Sequence, residues 1–255
     1  MPYKRYDIKN RYTVGGRRRN EPVVFKTVML IVIPVLIAAV IALGIFIAFK
    51  TVTGGRGENT PVTSPDEVAV ISDEDLLRVV NERHPLESDY VPELKPFGSV
   101  RISGYMFEDL DDMISAAAAE DIKLTLAEGY VSYADQAVLY DETYKKIKEE
   151  QKCSDIKAES ETKKVCPLEG ASESQTGLLV KFETDSEDFA NSEADTWLQR
   201  NAVNYGFVLR YPEGREDSTG MKANLQLYRY VGKEHALNMR RYDMTLDEYS
   251  SHIDR

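Results

Sequence analysis

The chain has 255 residues, of which 42% are hydrophobic and 29% are charged, and its formal net charge is −11. This composition excludes a disordered acidic tail and a polytopic membrane protein, and the length leaves room for one domain or at most two. The charge is unevenly distributed, because residues 1–26 carry +6 and residues 51–255 carry −18. Such an acidic body repels phosphate backbones, so no nucleic-acid partner is expected.

An uncharged run at 28–49 separates the basic head from the acidic body. At a rise of about 1.5 Å per residue, a helix of this length crosses a hydrocarbon core of about 30 Å. A cleaved secretory signal is the alternative, but its apolar region usually spans only about 7–15 residues and ends in a small-residue cleavage site. The basic charge then predicts that residues 1–27 are cytoplasmic, that 28–49 form a transmembrane helix, and that the C-terminal part is extracellular. We therefore expect a single-pass protein of the cell membrane.

The exported part divides into a linker and a folded domain. Residues 50–72 are rich in Gly, Thr and Pro and are typical of a linker, and residues 73–255 carry the periodic apolar patterns of a domain. Helical spacing predicts helices at 73–84, 107–120, 133–149 and 245–252. Alternation and β-branched content predict strands at 123–127, 178–182 and 225–231. Helices and short strands in mixed order indicate an α+β fold.

Two of these helices carry capping patterns. Ser72 is a candidate N-cap with Asp75 three residues later, and Pro85 is expected to end the same helix. Thr245 and Glu248 form the corresponding pattern at the start of the last helix. The segment 145–165, into which the third helix extends, is a charged insert without a clear apolar stripe.

The chain contains only two cysteines, Cys153 and Cys166, and both lie in the exported part. In an oxidising compartment a disulfide between them would close a short loop and stabilise the domain by about 3 kcal/mol. Two exposed thiols in a loop are the alternative. Without a nearby histidine, the pair does not form a zinc site.

Five sequence motifs occur one after another along the domain, and they include NYGFVLRYPEG and RYVGKEHA. They lie at 79–94, 128–140, 170–182, 197–214 and 219–236. In amino-acid sequence, order and spacing, these motifs resemble those of the VanY-type D-alanyl-D-alanine carboxypeptidases, which are zinc metallopeptidases that trim peptidoglycan stem peptides. The resemblance covers about 79–250 and implies a small α+β domain with a central antiparallel sheet, outside the membrane.

The resemblance also implies a set of functional positions. In the family, zinc is held by the His and Asp of an S-E-H-x-x-G-x-x-x-D phrase and by the His of an E-P-W-H phrase. The Glu of E-P-W-H is the general base, and an Arg in S-G-Y-R-S helps to hold the substrate or polarise its carbonyl. Zinc needs such converging deprotonated ligands, with one position left open for water.

This sequence departs from the family pattern at each of those positions. Ser174, Lys181 and Leu227 stand at the three ligand positions. Asn224 stands at the base position, and Val131 replaces the Arg. Because leucine has no lone pair and an ammonium group repels Zn²⁺, we expect no bound metal and no catalytic residue. The three histidines His84, His235 and His252 are interpreted as capping, packing or surface residues.

Two interpretations of Lys181 stay open. Its ammonium group, in place of the metal, could bind a peptide carboxylate, with Ser172, Glu173 and Tyr130 as further candidate contacts. Alternatively, Lys181 is an ordinary salt-bridged surface residue. We expect a membrane-anchored domain that binds stem peptides or docks a cell-wall protein without catalysis. The competing hypothesis is an active zinc D-alanyl-D-alanine carboxypeptidase.

Overall fold

The computed structural model describes residues 71–184 and 188–253. The predicted cytoplasmic segment, the transmembrane helix 28–49 and nearly all of the linker 50–72 lie outside these residues. Within the described ranges, no helix is both long enough and apolar enough to cross a membrane. The membrane anchor therefore stays a prediction.

The described residues form two antiparallel sheets. The first is a hairpin of β1 (Leu94–Phe97) and β2 (Val100–Ser103). The second has four strands in the order β3-β4-β6-β5. These strands are β3 (Thr125–Glu128), β4 (Leu179–Glu183), β5 (Phe207–Tyr211) and β6 (Asn224–Tyr230). All of the pairs are antiparallel, so the small antiparallel sheet that the resemblance implied is confirmed.

Helices of very different length surround the sheets. In chain order they are α1 (Asp73–Leu76), α2 (Phe107–Ala119), α3 (Tyr133–Gln151), α4 (Asp155–Lys163), α5 (Glu193–Asn201), α6 (Glu216–Thr219), α7 (Lys233–Tyr242) and α8 (Leu246–Ile253). Short 3₁₀ turns lie at Gly104–Met106, Glu173–Thr176 and Ala202–Tyr205. The architecture is α+β, as predicted.

The strongly periodic segments folded as predicted. The helices expected at 107–120, 133–149 and 245–252 are α2, α3 and α8, and two of the expected strands are β4 and β6. The third strand, β3, begins two residues later than expected. The capping pattern of α8 is present, because Glu248 Oε2 accepts the N–H of Thr245 at 2.8 Å and Thr245 Oγ1 accepts the N–H of Glu248 at 3.3 Å.

The first predicted helix is much shorter than expected. Ser72 caps it through a 3.1 Å bond from the N–H of Asp75, but the helix ends at Leu76 and not at Pro85. The physical reason is Arg229, whose Nη2 donates to the carbonyls of Leu76 at 3.1 Å and Arg78 at 3.3 Å. A tertiary partner thus takes carbonyls that a longer helix would have used for its own ladder.

The main core lies between one face of the four-stranded sheet and helices α2 and α5. Phe182 of β4 and Tyr228 of β6 meet there edge to face, with ring centroids 5.7 Å apart. The helices contribute buried side chains at helical spacing, namely Leu110, Met113 and Ala117 from α2 and Trp197 and Leu198 from α5. Because side chains alternate along a strand, Lys181 and Leu227 point to the opposite face of the sheet.

Candidate functional site

A row of three side chains crosses the sheet face opposite the main core. Lys181 of β4 pairs with Glu128 of β3 on one side and with Leu227 of β6 on the other. Lys181 Nζ lies 2.6 Å from Glu128 Oε1. The side chains of Lys181 and Glu128 are 29% and 51% exposed, so the ion pair lies at the surface.

A 3₁₀ turn brings two more of the predicted positions beside this row. The carbonyl of Ser174 accepts the N–H of Val131 at 3.2 Å, and Val131 lies only three residues beyond Glu128. The turn ends at Gly177, whose φ is +68°. A Cβ at Gly177 would lie 2.9 Å from the backbone nitrogen of Ser103, so a larger residue would push the turn away from β2.

The fifth predicted position, Asn224, is placed differently. It begins β6 opposite Tyr211, and its Oδ1 accepts the N–H of Gln226 at 3.0 Å. The side chain is therefore engaged by its own strand. The structure thus groups Val131, Ser174, Lys181 and Leu227 and leaves Asn224 at the end of the strand.

The grouped side chains do not fit a zinc ion. They offer a hydroxyl, an isobutyl group and an ammonium that is already paired with Glu128, whereas zinc requires about three deprotonated nitrogen, oxygen or sulfur ligands. Across the ranges that the structure describes, no group of three or more His, Cys, Asp and Glu residues is placed to hold a metal ion. His235 lies elsewhere, with its Nδ1 3.1 Å from the Tyr249 hydroxyl.

Two of the predicted peptide contacts need correction. Ser172 and Glu173 are 4% and 1% exposed, so neither side chain reaches a ligand at the surface. The Glu173 carboxylate accepts bonds from Nε and Nη2 of Arg210, each at 2.8 Å, and lies 3.0 Å from Nη1 of Arg229. Burial alone would raise the pKa of Glu173, but the two guanidinium groups outweigh burial and lower it. Tyr130 stays half-buried, with its ring 5.2 Å from the Arg101 guanidinium.

The sequence interpretation missed the buried charge cluster to which Glu173 belongs. Arg210 also binds Asp247 of α8, at 2.7 Å between Nη1 and Oδ2. The side chains of Arg210 and Arg229 are only 2% and 0% exposed. The sequence FVLRY, in which an arginine interrupts an apolar strand, could have indicated the cluster, because a buried arginine requires an acidic partner.

Of the two alternatives for the cysteines, the structure has the free thiols. Cys153 and Cys166 are both free thiols, and α4 lies between them. A nine-residue helix alone spans about 13 Å, whereas disulfide formation requires Cα atoms within about 7 Å. Cys166 Sγ accepts a bond from Nε2 of Gln136 near the start of α3, whereas Cys153 follows the end of that helix.

Comparison with known proteins assigns the family. The profile described as "VanY: D-alanyl-D-alanine carboxypeptidase" matches residues 99–233, which is more than half of the chain. The chain belongs to the VanY family. This VanY-family chain is 32% identical over 200 residues to a D-alanyl-D-alanine carboxypeptidase of Enterococcus faecalis, covering 75% of the chain and 71% of that relative. It is 31% identical over 199 residues to the putative carboxypeptidase YodJ of Bacillus subtilis, covering 71% of the chain and 69% of that relative.

Solved structures agree with the family assignment. A variant of VanY from a VanB-type vancomycin-resistance cassette, solved with Zn(II), superposes on this VanY-family chain with a TM-score of 0.64 at 29% identity. The superposition covers 69% of this chain and 99% of that protein. VanYB bound to D-alanine-D-alanine gives the same TM-score and identity, covering 69% of this chain and 97% of that protein. The scaffold is therefore that of a D-alanyl-D-alanine carboxypeptidase.

Proposed function

We propose that this chain is a membrane-anchored, extracellular VanY-family domain that binds peptidoglycan stem peptides without cleaving them. The observation that carries the proposal is the ion pair between Lys181 and Glu128, with Leu227 beside it. An ammonium group that is paired with Glu128 and an isobutyl group stand at two of the three positions where the family resemblance places zinc ligands. A domain built in this way keeps the scaffold but offers, at these positions, neither the family's zinc ligands nor its carboxylate base.

The chemistry of Lys181 favours a ligand with a free carboxylate. An ammonium group has three N–H donors, and the contact with Glu128 uses one of them. The side chain is 29% exposed, so the other donors are accessible to a ligand. VanYB binds D-alanine-D-alanine, a ligand that ends in a carboxylate, on the same scaffold. We therefore assign the C-terminal carboxylate of a stem peptide to Lys181.

Titration of the purified full-length chain with a pentapeptide stem tests the binding. We expect saturable binding in the natural chain and at least tenfold weaker binding in Lys181→Ala. Lys145→Ala is the matched control, because Lys145 is also an ion-paired lysine but lies on α3. Two results would contradict the peptide assignment and favour the docking of a cell-wall protein. One is no binding of the peptide to the natural chain, and the other is equal affinity of Lys181→Ala and Lys145→Ala for the peptide.

The competing function is an active carboxypeptidase, which is what the Enterococcus faecalis relative is named. Incubation of the full-length chain with excess zinc and the same pentapeptide separates the two functions. We expect D-alanine release no higher than in a protein-free blank, with the Enterococcus faecalis relative as the positive control. Release above the blank would overturn the non-catalytic proposal.

The anchored, outward-facing arrangement is part of the same proposal. It rests on the uncharged run 28–49 and on the net charge of +6 that precedes it. Protease added to intact cells should digest the domain at 73–255 and leave residues 1–27 protected. Protection of the domain would contradict this arrangement.

A further inference from the structure

A cavity of about 530 Å³ lies beside the edge strand β5, away from the Lys181 row. Its volume is within the range of about 300–1,000 Å³ that is typical of ligand pockets. Apolar side chains from β5, β6, α5 and α7 form its walls, among them Leu198, Phe207, Val208, Leu225 and Met239. Four of these five, all except Leu225, are buried residues, so the cavity extends into the interior.

One polar group in the wall has no partner. Tyr228 lines the cavity and is 1% exposed, and its hydroxyl makes no hydrogen bond among the described residues. Burial, together with the nearby carboxylate of Asp195, raises the pKa of Tyr228, so the hydroxyl keeps its proton and acts as a donor. The oxygens of Asp195 already accept bonds from the N–H of Asn191 and from Nε2 of Gln199. A buried donor without an acceptor is unfavourable, and a ligand that supplies an acceptor relieves it.

Charges around the cavity restrict the ligand further. Among the described residues, the carboxylates of Asp195, Glu213 and Asp243 and one cation, Arg240, line it. Arg240 is itself engaged, because its Nη1 donates to the carbonyl of Arg200 at 2.9 Å. An anion is therefore disfavoured here, in contrast to the site at Lys181.

The cavity is also separate from the Lys181 row in the fold. Its lining includes both Phe207 and Val208, neighbours in β5 whose side chains point to opposite faces, so the cavity lies at the edge of the sheet. Glu128, Lys181 and Leu227 do not line it, and β6 separates β5 from the strand that carries Lys181.

We propose that this cavity binds a small neutral or cationic organic molecule that carries an apolar ring or branched alkyl group and a carbonyl or hydroxyl oxygen. The apolar part fills the space between β5, α5 and α7, and the oxygen accepts the hydrogen bond of the Tyr228 hydroxyl. The inference does not depend on the function proposed for the Lys181 site.

Two probes of matched shape test the hydrogen bond. Acetophenone carries a carbonyl acceptor, and ethylbenzene has a methylene in its place. In the full-length chain labelled with ¹³C at the methionine methyl groups, acetophenone should shift the signals of Met239 and Met244, which line the cavity. The signals of Met106 and Met113, which are buried in the main core, should not move. Acetophenone should bind about fivefold more tightly than ethylbenzene, which is the effect of one ordinary hydrogen bond.

A conservative variant links this preference to Tyr228. Tyr228→Phe should bind both probes equally, whereas Tyr230→Phe should keep the preference, because the Tyr230 hydroxyl is bonded to Asp109 at 2.7 Å. Benzoate, an anion of similar size, should bind more weakly than acetophenone. Any of three results would overturn the proposal: no saturable shift at Met239 and Met244, equal affinity of the natural chain for both neutral probes, or tighter binding of benzoate. If Tyr228→Phe does not fold, the relative affinity of the natural chain for acetophenone and ethylbenzene still tests the proposed hydrogen bond.

Discussion

Glu173 and Arg210 form a two-point ion pair in the interior of the domain, with both N–O distances at 2.8 Å. The pair joins the 3₁₀ turn that carries Ser174 to the edge strand β5. Arg210 extends the connection to Asp247 on α8, and Arg229 extends it to the segment after α1. One buried charge cluster therefore connects segments that are distant in sequence.

The first prediction concerns the stability that depends on this cluster. Glu173→Ala should lower the free energy of unfolding by about 3–5 kcal/mol, because it leaves two buried guanidinium groups without their shared carboxylate. Urea unfolding of the purified chain measures the change. Glu87→Ala is the control, since Glu87 is exposed and should change stability by no more than about 0.5 kcal/mol. A loss below about 1 kcal/mol at Glu173 would contradict the role assigned to the cluster.

The second prediction is a pH dependence with a defined sign. The pKa of Glu173 is lower in the folded chain than its ordinary value of 4.5. Between the two values the unfolded chain binds more protons, so stability rises with pH there. The contribution is complete above the ordinary pKa and is lost as the pH falls through the folded-state pKa. Urea unfolding between pH 3 and pH 7 should therefore show that the stability difference between the natural chain and Glu173→Gln shrinks at the acid end. A difference that is constant across this range would contradict the prediction.

The third prediction restores the family's ligand set. The triple variant Ser174→His, Lys181→Asp, Leu227→His should bind about one zinc ion per chain, because Lys181 and Leu227 are paired across β4 and β6 and Ser174 lies in the 3₁₀ turn that leads into β4. Elemental analysis of the purified, dialysed protein measures the bound metal. The natural chain and the single variant Ser174→His should both bind far less zinc. Zinc at one ion per natural chain would contradict both this prediction and the non-catalytic proposal.

The fourth prediction concerns the two thiols. Burial raises the pKa of the Cys166 thiol above its ordinary value, so burial reduces the fraction of Cys166 that is thiolate at pH 8. Iodoacetamide should therefore alkylate Cys153 faster than Cys166 in the folded chain, as measured by peptide mass spectrometry. In urea the two rates should become similar. A mass lower by two hydrogens in the untreated chain would reveal a disulfide and contradict the separation of the cysteines.

Local patterns predicted the parts of the fold in which one face of an element meets the core. The sequence places Leu110, Met113, Ile114 and Ala117 at helical spacing, and α2 buries all of them except Ile114, which is half-buried. The Thr245 and Glu248 pattern likewise placed the start of α8. Strand β5 and helix α7 were not predicted. Buried Arg210 interrupts the apolar run of β5, and α7 begins after Gly232 without a capping side chain.

The sequence by itself determined the family, the acidic charge of residues 51–255 and the residue types at the five positions where the family has its functional residues. Those features depend only on single residues and short sequence motifs, so they can be identified without knowing any long-range contact. Only the tertiary structure decided that Lys181 pairs with Glu128, 53 residues away, and that Glu173 is buried against two arginines. It also decided that α4 keeps the cysteines apart. These outcomes depend on strand register and on burial, which arise when distant segments pack together and which no local pattern specifies.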